Sequence, residues 1–317
     1  MKVIELLKNS QRTAFSFEIL PPLKGNSFLK VCSIIDKLKE FDPKYINITT
    51  HHSETFFQET ADGQIKKVNI RKRPGTVAIA AAIQHQYGIT AIPHIICKGF
   101  SKEETEYALI DLNFLGVYEL LLLRGDTNKL ELNPFPPGAS HEHTTGLIEQ
   151  VNHFNQGISI DGTTFEKMET PFSYGVACYP EKHEEAPNFE SDLAFLKQKM
   201  DMGAEYAVTQ MFFDNRKYFD FVERCQAEGI TIPIIPGIKP IVFQNQLTIL
   251  PRIFRTEIPE TLASVLRACK NDGEVKQVGI EWSIEQCKEL IRYGVPSLHF
   301  YTLMATDSVR RIAEAIY

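Results

Sequence analysis

A carboxylate stands inside an otherwise apolar run at Phe15-Ser16-Phe17-Glu18-Ile19-Leu20. Strand alternation puts Ser16 and Glu18 on one face and the two phenylalanines on the other. A glutamate turned toward a partly desolvated mouth would have a raised pKa and could donate a proton near neutral pH. The same carboxylate held by a lysine or arginine would be a structural ion pair, and the segment leaves both readings open. Arg124-Gly125-Asp126 ends the apolar run Leu121-Leu122-Leu123. There the glycine lets the backbone turn close to a ligand, and the two charges could address different parts of it. Tyr179, His183 and Ala186 follow another apolar run and precede a helical stretch carrying Asp192 and Lys199. An aromatic ring, a histidine and a lysine together suit a flat ring system and a phosphate; a capped, solvated loop is the plainer alternative. Gln210 ends a further run with an amide that can donate and accept at once, which suits the edge of a pterin-like heterocycle or simply the local backbone.

Two histidine groups, His51-His52 and His141 with His143, do not supply three ligands at the spacing zinc prefers, so no metal is expected. The six cysteines are scattered without a C-x-x-C pair and read as buried thiols of a cytoplasmic protein. Neither G-x-G-x-x-G nor G-x-x-x-x-G-K-[ST] occurs, so a bound dinucleotide would be held by side chains and loops rather than by a glycine-rich turn.

The elements that must position these residues alternate between short β-branched or apolar runs and helical patterns, the sign of βα units and a parallel sheet. Eight strands are expected, at 14–20, 44–50, 90–97, 117–123, 172–178, 205–212, 232–235 and 297–302. Helices are expected between them, one opened by the capping box Ser101 to Glu104 and stopped near Gly116, others over 189–202 and 215–228. Eight such strands in 317 residues fit a (β/α)8 barrel in one domain, 1–317. Glu18, Thr49, His94, Arg124 with Asp126, Tyr179, Gln210 and Tyr301 all fall at the C-terminal ends of the expected strands, where a barrel builds its active site. Two stretches, 53–75 with its basic residues and 127–145 with its prolines, are expected to be long loops of functional or mobile character.

Hydrophobic residues at 43% and charged residues at 23% allow a sizeable core. The apolar runs fall well short of the roughly 20 residues that span a bilayer, and the N-terminus lacks a secretory h-region. A net charge of −6 offers no global attraction for nucleic acid or an anionic membrane.

Taken in order, FSFEILPP, PHIIC, LLLRGD, ACYPEKHEEA, DLAFLKQKMDMGA, AVTQMFFD, IIPGIKP and HFYTL resemble the bacterial methylenetetrahydrofolate reductases, from about Phe15 to Leu303. The resemblance implies an FAD-dependent barrel that uses NADH or NADPH to reduce methylenetetrahydrofolate to methyltetrahydrofolate. It also implies a homo-oligomer, often a tetramer. Glu18 matches the family's catalytic acid; Asp126 matches a residue touching both flavin and pterin; Gln210 matches a folate ligand. Thr49, His94, Arg124, Gly125, Tyr179, His183, Ala186, Asp192 and Lys199 match the FAD site, and Tyr301 lies at the folate. Where the family continues Asn-Arg after HFYTL, this chain has Met304-Ala305; Lys239 or Arg310 could supply the missing cation. A related flavin barrel acting on another folate or amine, or a folate- or corrinoid-handling methyl-transfer barrel without flavin, are the alternatives to that function.

Overall fold

The computed structural model describes residues 1–60, 62–125, 135–303 and 305–317. Its strands are β1 (Ala14–Ile19), β2 (Tyr45–Ile48), β3 (Glu54–Glu59), β4 (Ile65–Ile70), β5 (Thr90–Ile96), β6 (Glu119–Leu123), β7 (Ser173–Cys178), β8 (Tyr206–Thr209), β9 (Ile234–Ile235), β10 (Gly237–Ile238) and β11 (Ser297–Tyr301). Its helices are α1 (Val3–Lys8), α2 (Leu29–Leu38), α3 (Thr76–Tyr87), α4 (Lys102–Phe114), α5 (Thr144–Asn155), α6 (Phe189–Asp201), α7 (Asn215–Ala227), α8 (Gln246–Phe254), α9 (Glu260–Ala268), α10 (Asp272–Tyr293) and α11 (Thr306–Ile316).

Nine strands join one sheet in the order β10-β11-β1-β2-β5-β6-β7-β8-β9. The pairs β10–β11, β11–β1, β5–β6, β7–β8 and β8–β9 are parallel. The two ends of that order, β9 and β10, are separated in sequence only by Pro236. Proline has no N–H for a ladder, so β9 and β10 are halves of one bent strand, the first pairing with β8 and the second with β11. Counted as one, they bring the strands to the eight expected, and the fold class is the α/β barrel the alternation implied. No helix among the described residues is long and apolar enough to cross a membrane.

The chain forms two compact units. One comprises Met1–Ile19, Ser33–Asn47 and Tyr174–Tyr317. On β1, Phe15 packs against Phe17, Phe41, Phe300 and Tyr317 at ring separations of 5.5 to 5.9 Å, so this face of the strand meets the helical layer. The other face is polar. Ser16 Oγ and His299 Nδ1 hydrogen-bond at 3.0 Å, the His299 ring stacks with Tyr45, and the Tyr45 hydroxyl donates to Ser297 Oγ at 3.1 Å. Burial pushes the Tyr45 phenol up to about 12, so it remains a donor at neutral pH. Beyond β10, α8, α9 and α10 fill residues 246–293, a stretch without a sequence expectation. Their apolar faces close on Met211, Phe213 and Ile241 through Leu250, Leu262, Leu266 and Val275. Gly279 makes that packing possible, because a methyl there would overlap the Ile241 carbonyl.

The other unit comprises Leu20–Cys32 and Ile48–Ser173. Here β5 and β6 pair in register, His94 opposite Leu121 and Ile96 opposite Leu123. The expected capping box on α4 is present: Ser101 Oγ accepts from the Glu104 N–H at 3.1 Å, and the Glu104 carboxylate accepts from the Ser101 N–H at 3.0 Å. Gly116, at φ +69°, follows that helix as its stop. The expectation of a long loop at 53–75 is corrected. Most of it is the antiparallel hairpin β3–β4, paired from Glu54 opposite Ile70 to Glu59 opposite Ile65. Thr60 closes its turn, its hydroxyl donating to the Asp62 carboxylate and to the Gln64 carbonyl, with Gly63 at φ +78°. Val68 and Ile70 are half-buried, whereas Phe57, Ile65 and Lys67 on the opposite face are exposed. Part of the basic charge is spent locally, since Lys72 meets Glu54 at 2.5 Å and Arg71 meets Glu104 at 3.4 Å. Of the expected loop at 127–145, residues 127–134 lie outside the described residues, and α5 begins before its end.

Candidate functional site

In the first unit the polar side chains gather at the C-terminal ends of three adjacent strands. Glu18 lies opposite Tyr301 in the β1–β11 register. Ile238 lies opposite Phe300 in β10–β11, which brings Lys239 level with Tyr301. Lys239, Tyr301 and Glu18 therefore form one row across three strands. Glu18 is 7% exposed and Lys239 4% exposed. The Lys239 ammonium donates to the Tyr301 carbonyl at 3.3 Å, and the Thr302 hydroxyl donates to the Glu18 carbonyl, tying the row together through its backbone. Burial lowers the Lys239 pKa from 10.5 to about 8, opposed by the attraction of Glu18.

Tyr301 crosses this row. Its hydroxyl donates to the Thr209 carbonyl at 2.6 Å, while the Thr209 hydroxyl accepts from the Gly237 N–H at 2.9 Å. Burial first, then the nearby Glu18, holds the phenol well above its usual pKa. Gly237 is glycine for a steric reason, since a methyl there would overlap both the Thr209 carbonyl and the Tyr301 ring. Gln210 follows directly after β8. Its N–H donates to the Cys178 carbonyl at 2.8 Å, and its side-chain oxygen accepts from the Met211 N–H at 2.9 Å. The amide NH2 is thereby the end left to donate, and it has no acceptor among the described residues.

The turn between β7 and α6, in the same unit, assembles five more of the expected residues. Tyr179 and His183 meet edge to face at 4.6 Å. The His183 N–H donates to the Asp192 carboxylate at 2.7 Å, and the Ala186 N–H donates to the His183 carbonyl at 3.1 Å. Asp192 is raised above the usual carboxylate range by burial, against the pull of that N–H and of Lys199. Lys199 itself donates to the Ala177 carbonyl at 3.3 Å. Lys182, which carried no expectation, staples the turn at φ +78° by donating to the His183 and Ala186 carbonyls at 2.9 and 2.5 Å.

In the second unit, Thr49, His94, Arg124 and Gly125 lie at the ends of β2, β5 and β6 or just beyond them. The Thr50 hydroxyl donates to the His94 carbonyl, and Thr49 Oγ1 lies 3.3 Å from His51 Nε2. His94 is 5% exposed, and burial, with a further push from His51, lowers it to about 3, so its ring is neutral at physiological pH. Arg124 donates from Nε to the Glu142 carbonyl at 3.2 Å. Gly125 takes φ +86°, with Ile96 and Lys98 packed where a side chain would stand. Asp126 lies outside the described residues, as does Met304.

Among the histidines set aside as metal ligands, His141 hydrogen-bonds Gln150 at 2.6 Å and His52 packs against Gly99. Of the two cations suggested in place of the family's arginine, Arg310 is on α11, paired with Glu40 at 3.3 Å and Glu314 at 3.1 Å. Lys239 alone joins the Glu18 row, and its burial does not suit a solvated dicarboxylate. Only the register of three strands distant in sequence shows this; the IPGIKP motif by itself does not.

Comparison with known proteins agrees with this layout. A solved structure described as an uncharacterized protein from Clostridium thermocellum that binds two copies of 5-methyl-5,6,7,8-tetrahydrofolic acid shares the fold, with a TM-score of 0.57, 13% identity, and coverage of 99% of this chain and 98% of that one. A probable methylenetetrahydrofolate reductase (NADPH) from Caenorhabditis elegans is 30% identical over 99% of this chain and 43% of its own length. The 5,10-methylenetetrahydrofolate reductases of Pectobacterium carotovorum and Escherichia coli are each 30% identical, over 92% and 95% of this chain and 86% and 90% of their own. The chain thus spans about half the length of the animal and plant relatives and most of the bacterial ones. The family model for methylenetetrahydrofolate reductase matches residues 3–317. With strand ends, turn and motif order in agreement, the chain belongs to the methylenetetrahydrofolate reductase family.

Proposed function

We propose that this chain reduces methylenetetrahydrofolate to methyltetrahydrofolate, with FAD as cofactor and NADH or NADPH as electron donor. The observation that carries the reading is Glu18: a carboxylate 7% exposed at the end of a barrel strand, with Tyr301 opposite it and Lys239 in the same row. Reduction of a methylene bridge between two nitrogens needs one of them protonated so that its bond to carbon can break. In this reading Glu18, buried at the strand end, supplies that proton. Gln210, with its oxygen engaged by the Met211 N–H, presents its NH2 to an acceptor on the pterin edge. Tyr301, kept protonated by burial, closes the row beside the acid.

The turn after β7 fits a flavin dinucleotide. Tyr179 and His183 offer flat rings, Lys199 a cation, and Lys182 fixes the local backbone. Ala186 and Asp192 in that turn, and Thr49, His94, Arg124, Gly125 and Asp126 in the second unit, share this assignment. The flavin, when bound, supplies the hydride chemistry; the side chains hold it, orient it and set the charge around it. The neutral His94 ring adds no charge. A homo-oligomer and a cytoplasmic location complete the reading.

Glu18→Gln tests it. The variant keeps the size and burial of the side chain but has no acidic proton to give. Reduction by NADH is expected to survive while folate-dependent reoxidation falls by about 10² to 10⁴, the usual worth of a positioned acid. If both steps ran unchanged, Glu18 would not be the acid.

A further inference from the structure

Register brings Lys239 level with the acid, and its surroundings are unusual for a structural lysine. It is 4% exposed, yet its ammonium, which has three N–H bonds to give, meets one acceptor among the described residues, the Tyr301 carbonyl at 3.3 Å. Its position is fixed on both sides. Ile238 is buried in register with Phe300, Pro240 follows, and Gly237 admits the Tyr301 ring that backs the row. The titratable groups that face the row are Glu18 from β1, His299 and Tyr301 from β11, and Cys178 and Tyr179 from the end of β7. Of these, Glu18 is the one whose charge acts on Lys239.

We propose that Lys239 is the positioning residue for the acid: it holds the Glu18 carboxylate electrostatically and returns to it the proton spent on the substrate nitrogen. This rests on the assignment of Glu18 above. In the first step the Glu18 O–H bond breaks as the substrate N–H bond forms, and the O–H electron pair stays on the carboxylate. In the second, a Lys239 N–H bond breaks, its pair stays on Nζ, and the proton forms the new O–H of Glu18. The product is a neutral amine beside a neutral acid, which burial favours over the ion pair. Solvent then reprotonates the amine, and nothing is oxidised or reduced in the exchange. Lys239 Nζ is bonded to the Tyr301 carbonyl rather than to the carboxylate, so the transfer uses rotation of the flexible side chain or one bridging water.

The depressed basicity of Lys239 gives the idea a readout that does not depend on turnover. Competitive acetylation with acetic anhydride across pH 6 to 11, followed by mass spectrometry of the intact folded protein, reports the titration of each lysine. Wild-type Lys239 is expected to titrate near pH 8, well below an exposed lysine. A Lys239 that titrates near pH 10.5, as an exposed lysine does, would overturn the proposal. The second arm is the pH profile of folate-dependent reoxidation. Wild type should lose rate above about pH 8, Lys239→Met should be at least 10-fold slower below that pH and have no such limb, and Lys239→Arg, whose guanidinium keeps its proton, should also stay slow and lack the limb. A Lys239→Met enzyme with the wild-type rate and limb contradicts the proposal, and if that variant does not fold, an unmoved limb in Lys239→Arg does the same. The two levels separate cleanly: if Glu18→Gln abolishes the folate step while the Lys239 variants keep the wild-type profile, the role of Lys239 fails and the acid stands. If Glu18→Gln leaves the folate step intact, the assignment of the acid itself fails.

Discussion

Replacing Lys239 by methionine should make the protein more stable at pH 7 and less stable at pH 10.5. The lysine is 4% exposed, and burial lowers its pKa from 10.5 to about 8. Below pH 8 the folded chain must hold a buried ammonium, and at about 1.4 kcal/mol per pH unit that drop is worth roughly 3 kcal/mol of destabilisation. The sign follows from proton counting. Between pH 8 and 10.5 the unfolded chain binds more protons at this site than the folded one, so stability at the site rises with pH and the burden disappears by about 10.5. Methionine removes that burden at every pH, but it also removes the hydrogen bond to the Tyr301 carbonyl, worth about 1 kcal/mol. The net expectation is a gain of about 2 kcal/mol at pH 7, crossing zero and turning into a loss of about 1 kcal/mol at pH 10.5. Urea unfolding of both proteins at several pH values measures the difference directly, with shared slopes converting midpoints to free energies. A difference that does not change with pH, or a variant less stable at pH 7, would refute the view that Lys239 is a desolvated cation.

Two further outcomes test other parts of the structure. Gly237→Ala should push the Tyr301 ring from its seat and cost about 1 to 3 kcal/mol, read by thermal unfolding, whereas an unchanged melting temperature would mean that Tyr301 is not anchored there. His94, lowered to about 3 by burial, must be protonated when the chain unfolds in acid, so the protein should lose about 3 kcal/mol at this site between pH 6.5 and 4. In His94→Leu that loss should be absent from the acid-unfolding curve, and wild-type acid sensitivity in the variant would contradict the burial argument.

Local rules carried the sequence reading a long way. The Ser101 capping box, the glycine stop after α4 and the polar residues at strand ends each follow from residues close together in sequence. What could not be read had two causes. The β3–β4 hairpin was hidden because adjacent identical residues, Phe56-Phe57 and Lys66-Lys67, blur the period-two alternation that marks a strand. The place of Lys239 beside the acid depends on β10, β11 and β1 lying side by side, and those strands come from opposite ends of the chain. The helices α8 to α10 earn their order by closing on Ile241, Met211 and Phe213, partners that their own periodicity does not name. Asp126, central to the resemblance, falls outside the described residues.

The most direct test of the central claim is anaerobic sequential mixing of the purified protein, after reconstitution with FAD, first with NADH and then with methylenetetrahydrofolate, following the flavin absorbance. The proposed function predicts bleaching in the first step and full recovery in the second. Bleaching with no recovery on folate would contradict it by leaving a flavin reductase of another substrate, and the absence of any flavin band would remove the oxidoreductase reading altogether.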